Sequence, residues 1–212
     1  MHILISGGAG FIGSATIEKL LEYKDMLNVD KIVILDNLYS GSKENISAFL
    51  NDIEFIYVDI SNFRDLLDKI KNVIDRENDI SILHLAAIIN VVEVYENPRR
   101  SVEVNVMGTL NMLELARLYD AKRFVYASSV AVYGEPSYIP IDEDHPVKPI
   151  NLYGLTKALS EQLIMRYVED YGISSIILRY FNVYGPRMRS GPYAGVIHKF
   201  ITALIKNKTP VI

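Results

Sequence analysis

An apolar strand, His2–Ser6, runs straight into Gly7-Gly8-Ala9-Gly10-Phe11-Ile12-Gly13, and a helical pattern from Phe11 to Tyr23 follows at once. The turn reads as GxxGxxG through Gly7, Gly10 and Gly13, or as GxGxxG through Gly8, Gly10 and Gly13. Glycines here permit a tight turn and let the backbone approach an anion closely. The helix that follows turns its free N–H groups and the positive end of its dipole toward the same point. A strand, a glycine turn and a helix in that order make a pyrophosphate cradle and mark a dinucleotide site.

The rest of the chain repeats the strand–helix rhythm. Lys31–Leu35, Glu54–Val58, Ile80–Leu85, Arg123–Ala127 and Ser174–Arg179 read as strands. Phe63, Leu66, Leu67, Ile70, Val73 and Ile74 recur at helical steps, and Asn97-Pro98 opens a long helix. Leu152–Tyr171 and Gly195–Lys206 are two further helices. Several strands are continuous apolar runs, which predicts burial on both faces. The expected fold is therefore α/β, a doubly wound parallel sheet of the Rossmann type with strand order 3-2-1-4-5-6. The irregular stretch from Val130 to Ile150 carries four prolines, and a loop that long predicts a functional segment or a lid.

Composition removes other classes. The 212 residues are half hydrophobic, and 22 basic against 26 acidic side chains give a net charge of −4. A mildly acidic chain without a basic block is a poor nucleic-acid binder. Cysteine is absent, so disulfides, thiolate metal sites and cysteine nucleophiles are excluded. The four histidines are scattered without an HExxH, so no metal site is expected. No apolar run is long enough to span a membrane, and a cytoplasmic location is the default expectation.

Asp36 ends the second strand, 23 residues after Gly13. A carboxylate there accepts both ribose hydroxyls of an adenosine and repels a 2′-phosphate, which favours NAD over NADP. Asp59 ends the third strand; it either accepts the adenine amino group or caps the next helix. Tyr153 and Lys157 stand four apart in one helix, hence on one face. A lysine cation beside a phenol is expected to lower the tyrosine pKa from 10 by roughly one to three units, making Tyr153 a general base. Ser129, at the end of the fifth strand, is placed to hydrogen-bond the same reacting oxygen.

Seven motifs stand in order along the chain: GGAGFIG (Gly7–Gly13), DNLYSG (Asp36–Gly41), HLAA (His84–Ala87), NVMGT (Asn105–Thr109), SSVAVYG (Ser128–Gly134), YGLTK (Tyr153–Lys157) and RYFNVYGPR (Arg179–Arg187). With them the chain closely resembles the extended short-chain dehydrogenase/reductase family, the NAD-dependent epimerase/dehydratase group. Within it the chain is most similar to the UDP-sugar 4-epimerases.

The resemblance implies that Gly7, Gly10, Phe11, Ile12 and Gly13 hold the pyrophosphate of NAD, and Asp36 and Asn37 the adenosine ribose. It places Asp59 and Ile60 beside the adenine, and Leu85, Ala86 and Ala87 under the cofactor. Asn105 would be a polar group near the site, or merely a bridge between backbone groups. Ser129, Tyr153 and Lys157 would form the catalytic triad, Tyr180 and Phe181 would flank the nicotinamide, and Asn182 would contact the substrate diphosphate. His84 reads most simply as a strand-end polar residue, and Arg187 and Arg189 as phosphate ligands or a solvated pair.

The implied activity is NAD-dependent epimerisation of a UDP-sugar at C4, through a 4-keto intermediate. Family dehydratases and decarboxylases usually carry a threonine and an acid near the serine, whereas this chain has Ser129-Val130-Ala131-Val132. Those chemistries, and a non-catalytic NAD sensor, are the alternatives. The resemblance also implies a homodimer built on the helices after Pro98 and Leu152, with Val102, Val106, Leu110 and Leu113 on one face. Residues 1–180 would form the cofactor domain and 181–212 the beginning of a substrate-binding region. Most of the smaller C-terminal domain would be missing, with Thr209–Ile212 opening a seventh strand. The chain as given is then expected to bind NAD but to turn over sugar nucleotide poorly.

Overall fold

A computed structural model of the chain describes residues 1–75, 79–188 and 195–210. Its centre is one six-stranded sheet: β1 (His2–Ser6), β2 (Lys31–Asp36), β3 (Glu54–Tyr57), β4 (Ile80–His84), β5 (Arg123–Ser129) and β6 (Ser175–Tyr180). Every pairing is parallel, and the order is β3-β2-β1-β4-β5-β6. The expected topology is therefore the observed one, a Rossmann fold.

Both faces of the sheet are covered, as the unbroken apolar runs require. Leu4, Val33, Leu35, Ile82 and Phe124 belong to one buried cluster. That cluster takes in residues of α2 (Phe63–Ile70), α5 (Gly108–Leu118) and α6 (Leu152–Tyr171). Their strand neighbours Ile3, Ile5, Ile32 and Ile34 point the other way, into a cluster with Ile17 of α1 (Phe11–Glu22) and Ile46 of a short 3₁₀ helix, Lys43–Phe49. Each fully buried leucine or isoleucine contributes roughly 1.5–3 kcal/mol to this sandwich. Edge strand β6 differs, with exposed and half-buried residues alternating along it.

Some elements depart from expectation. The helix expected to run through Ile74 stops at Ile70. The helix opened by Pro98 is not uniform: α4 (Pro98–Val102) passes through a π turn, Glu103–Met107, before α5 resumes. The π turn shifts the face, so Leu113 is fully buried while Val102 is exposed. The sequence pattern also did not mark α3 (Val91–Glu96), which Asn90 caps by accepting from the N–H groups of Val92 and Glu93. Strand β5 continues two residues beyond expectation, to Ser129. The final helix is α7 (Val196–Ile205). The seventh strand expected to open over Thr209–Ile212 runs into residues 211–212, which lie outside the described residues. No described helix is long and apolar enough to cross a membrane.

Candidate active site

The switch in strand order between β1 and β4 opens a crevice at the carboxyl ends of the strands, where open α/β sheets bind their ligands. A cavity of about 310 Å³ occupies it. Gly7, Gly10, Phe11, Ile12, Gly13 and Asp36 line one end. Leu85, Ala86 and Ala87 lie beneath, and Ser129, Tyr153, Lys157, Tyr180 and Phe181 line the other end. Residues from six separate stretches of sequence thus meet in one place.

The glycine end is built by backbone. Gly7 has φ +74°, and a Cβ there would stand 2.7 Å from the Ala86 nitrogen. A Cβ on Gly13 would stand 2.3 Å from the Gly7 oxygen. Only glycine fits either position. The N-cap of α1 is Gly10 and no side chain takes its free N–H groups, whereas α2, α3 and α6 are capped by Asn62, Asn90 and Asn151. An uncapped, glycine-lined helix start facing a cavity fits a bound pyrophosphate. Asp36 accepts from the N–H groups of Ala9 (3.0 Å) and Leu38 (2.7 Å), which ties the glycine turn to the loop after β2. Burial pushes its carboxyl pKa up, and those two N–H groups hold it back down.

The other end is built by side chains from α6 and β5. Asn151 caps α6 by accepting from the Gly154 N–H at 2.8 Å, which starts the helix so that Tyr153 and Lys157 both face the cavity. The Lys157 ammonium is buried, donates to the Ala127 carbonyl at 2.8 Å and sits 4.8 Å from the Tyr126 ring centroid. Burial pulls its pKa down from 10.5 to about 7, against the opposing charge of Glu161. Ser129 Oγ accepts from the Ala131 N–H at 3.2 Å, leaving its own proton to donate.

One expectation is corrected here. The Tyr153 pKa is raised, because burial outweighs the hydrogen bond from Ser129 that lowers it. Lys157 does not produce the expected lowering, since its ammonium is directed at the Ala127 carbonyl.

Beneath the site runs a directional chain of buried hydrogen bonds. Thr109 Oγ1 donates to the Asn105 carbonyl (2.6 Å), so it must accept from His84 Nε2 (2.9 Å). His84 is thereby the Nε2–H tautomer, and its Nδ1 accepts from Ser6 Oγ at 2.6 Å. Ser6 Oγ in turn accepts from the Ala86 N–H at 3.3 Å. Burial first, then the charge of Lys157, pull the His84 pKa from 6.5 to about 3, so the ring is neutral. His84 is a connecting residue of the core, more than the strand-end polar group its position suggested.

Five expected site residues do not line the cavity. Asn105 is buried, with Oδ1 accepting from the Ile88 N–H and Nδ2 donating to the Ile88 carbonyl and Thr156 Oγ1. It bridges chain segments, and its amide is fully used in doing so. Asp59 accepts from Ser61, Asn37 and Arg100, and of its two expected roles the helix cap falls to Asn62, which caps α2. Asn37 is spent on Asp59 and the Tyr39 N–H. Ile60 is buried against Gly108, and Asn182 is exposed beyond β6. Arg187 pairs with Glu18 of α1, and Arg189 lies outside the described residues.

The cavity also gains residues not singled out from sequence: Ser40, Ile89, Ala127, Ser128, Val183 and Met188. Ser128 and Ser40 sat inside quoted motifs, so proximity to a motif was the available signal. The described residues hold no group of His, Asp or Glu able to bind a metal ion.

Residues 3–212 match the model of the NAD dependent epimerase/dehydratase family. The chain belongs to that family. Its cofactor is NAD, and the glycine cradle, the uncapped α1 and Asp36 fit that molecule. A putative UDP-glucose 4-epimerase of Methanocaldococcus jannaschii is 47% identical over 99% of this chain and 65% of its own length. UDP-glucuronic acid decarboxylase 3 of Arabidopsis thaliana is 35% identical over 98% of this chain and 58% of its own. Among solved structures, the UDP-glucose 4-epimerase of Thermotoga maritima with UDP-glucose superposes with TM-score 0.86, at 32% identity over 98% of this chain and 64% of that one. The Thermus thermophilus UDP-glucose 4-epimerase in complex with NAD gives 0.85, at 34% identity over 98% and 64%. The chain therefore spans less than two thirds of the length of these relatives, between 58% and 65%.

Proposed function

We propose that the protein is an NAD-dependent sugar-nucleotide epimerase that inverts C4 of a UDP-hexose through a 4-keto intermediate. The observation that carries this reading is the content of the cavity. Ser129, Tyr153 and Lys157 share it with the glycine cradle, and Asp36, at the opposite end, is the one carboxylate among its lining residues. Epimerisation moves one hydride and one hydroxyl proton, so it needs one general base and no second acid. Elimination or decarboxylation calls for a further group beside the sugar, and the described lining offers none.

NAD, when bound, accepts the C4 hydride and gives it back. Gly7, Gly10 and Gly13 hold the pyrophosphate against the start of α1, and Asp36 the adenosine ribose. Ala86 and Ala87 form a floor without polar side chains. Tyr153 Oη takes the proton of the 4-hydroxyl and later returns it. Ser129 Oγ donates to the same oxygen. With its ammonium on the Ala127 carbonyl, Lys157 does not offset the burial that disfavours the phenolate; its role in this reading is to supply a positive charge in the same cavity once the proton moves. Tyr180 and Phe181 shield the far wall from water. In this reading residues 1–180 hold the cofactor and residues 181–212 belong to the substrate side. Exposed apolar residues on α4, the π turn that follows it and α6 (Val102, Met107, Leu155 and Leu159) support a homodimer formed through those helices.

The test is to incubate the full-length protein with NAD and UDP-galactose, or its N-acetyl or uronate analogue, and to resolve the products by mass and by NMR. UDP-glucose, or the 4-epimer of an N-acetyl or uronate analogue, is the expected product. Loss of CO₂ from the uronate analogue, or of water from any of these substrates, would replace the reading with decarboxylation or dehydration. NAD binding with none of these conversions would favour the sensor.

A further inference from the structure

Behind Lys157 lies an ion pair, its carboxylate buried and its guanidinium half-buried, that the mechanism above does not use. Tyr153, Lys157 and Glu161 follow one another at four-residue steps on α6, so they form one stripe. Glu161 is 6% exposed and both its oxygens are taken. Ser128 Oγ donates to Oε1, Arg179 Nε donates to Oε1 at 3.0 Å, and Arg179 Nη2 donates to Oε2 at 2.8 Å. Arg179 pairs in register with Ser128 across β5 and β6. Its remaining nitrogen donates to Tyr133 Oη at 2.9 Å and to the Glu143 carbonyl at 3.3 Å, and its guanidinium lies 4.8 Å from the Tyr133 ring centroid. Helix α6, strands β5 and β6 and the 130–150 loop all converge on this one pair.

The surroundings of Lys157 make the pair decisive. Among the described residues, the titratable groups facing the lysine are His84 from β4, Tyr126 from β5, Tyr153 and Glu161 from α6, and Tyr180 from β6 across the cavity. His84 is neutral, and burial keeps the protons on all three tyrosines near neutral pH. The charges left are the Glu161 carboxylate and, just beyond it, the Arg179 guanidinium. In a low-dielectric interior such charges act strongly on a neighbouring ammonium.

We propose that Glu161 and Arg179 are a positioning pair for Lys157: Glu161 is the lysine's buried counter-charge and anchors Ser128 beside Ser129, and Arg179 sets how much of that charge the lysine feels. The proposal rests on the reading of Tyr153 and Lys157 as the proton-handling pair. It separates two effects that a purely structural salt bridge would join. Breaking the pair from either side should destabilise the fold, because one break leaves the buried Glu161 carboxylate alone and the other a half-buried guanidinium. The two breaks should move the lysine's proton in opposite directions. Without the carboxylate, the lysine faces burial and a bare guanidinium, and its pKa falls. Without the guanidinium, it faces an unshared carboxylate, and its pKa rises.

The experiment is an NMR titration of the whole chain labelled with ¹³Cε-lysine, from pH 5 to 10, with the Lys157 resonance identified by its loss in Lys157→Met. Glu161→Gln should lower the Lys157 midpoint and Arg179→Gln should raise it, while both lower the melting temperature. The double variant Glu161→Gln/Arg179→Gln leaves neither charge alone and serves if a single variant does not fold. Its midpoint should lie below the parent's, because the nearer charge removed is the negative one. Midpoints that move together, or that stay at the parent value, would overturn the proposal and leave the pair a structural brace. The readout is the lysine's own proton, so failure of the epimerase assay and failure of this proposal are separate results.

Discussion

The two ends of the cavity are built on different principles. At the glycine end, backbone is packed on backbone, and the tightest approaches are those a Cβ at Gly7 or Gly13 would violate. At the chemical end, side chains carry charge: buried Lys157 and Glu161 and half-buried Arg179, with neutral His84 beneath them. The first end is held by excluded volume, which does not depend on pH. The second is held by a balance of burial against charge, which does. Substitutions should therefore fail in different ways at the two ends.

The largest effect is expected at the glycine end. Gly13→Ala places a methyl 2.3 Å from the Gly7 oxygen and 2.7 Å from the Gly8 Cα, and neither can yield without moving the turn. Overpacking against backbone should cost about 3 kcal/mol or more and abolish NAD binding. Urea unfolding at pH 6 and pH 8 should show the same loss at both. A loss that changed with pH would break the contrast. Next comes Tyr153→Phe, which keeps the ring and removes only the proton carrier. Turnover should fall by roughly 10²–10⁴-fold, with NAD affinity and melting temperature close to the parent's. Full activity in that variant would remove Tyr153 from its role.

The same contrast explains what could be read from the sequence. The sheet order and the glycine cradle were legible because local rules dictate them: apolar runs demand burial on both faces, and Gly7 and Gly13 leave no room for another residue. Tyr153 and Lys157 were legible as a spacing. The Glu161–Arg179 pair was not, because the two stand 18 residues apart on different elements and meet only once β6 is laid beside β5. The direction of the Tyr153 shift was misread for the same reason. Spacing puts Lys157 on the tyrosine's face, but burial and the Ala127 carbonyl, both tertiary, decide where the ammonium points. Motif position did not choose between the two readings of Asn105, and the structure shows the bridge to the Ile88 backbone and Thr156; nor did it show that Asp59 is engaged by Ser61 and Arg100.

His84 offers a sharper view of the charge-balanced end. Its folded pKa of about 3 lies below the ordinary 6.5, so between those values the unfolded chain takes up a proton that the native ring refuses. The stability it contributes is complete above pH 6.5 and is lost as pH falls toward 3. The slope should be about 1.4 kcal/mol per pH unit in that window. His84→Gln retains a donor and an acceptor but cannot titrate. Denaturant unfolding at pH 6, 5 and 4 should show this contribution to the slope in the parent and its loss in the variant. Equal slopes would mean that His84 charges in place, and the neutral chain from Ser6 to Asn105 would have to be redrawn.

The smallest effect is expected in α7. That helix is apolar, yet none of its residues is buried, and Leu204 is 63% exposed. Here neither excluded volume nor buried charge operates within the described chain. Leu204→Lys should therefore change stability by no more than about 0.5 kcal/mol, the range of ordinary surface substitutions. The measurement is urea unfolding at two protein concentrations. A loss of more than about 1 kcal/mol that grew with concentration would show α7 buried against a second copy, because only association makes stability depend on concentration. A loss of that size independent of concentration would place α7 against its own chain, and the helix would then belong with the packed end of the molecule.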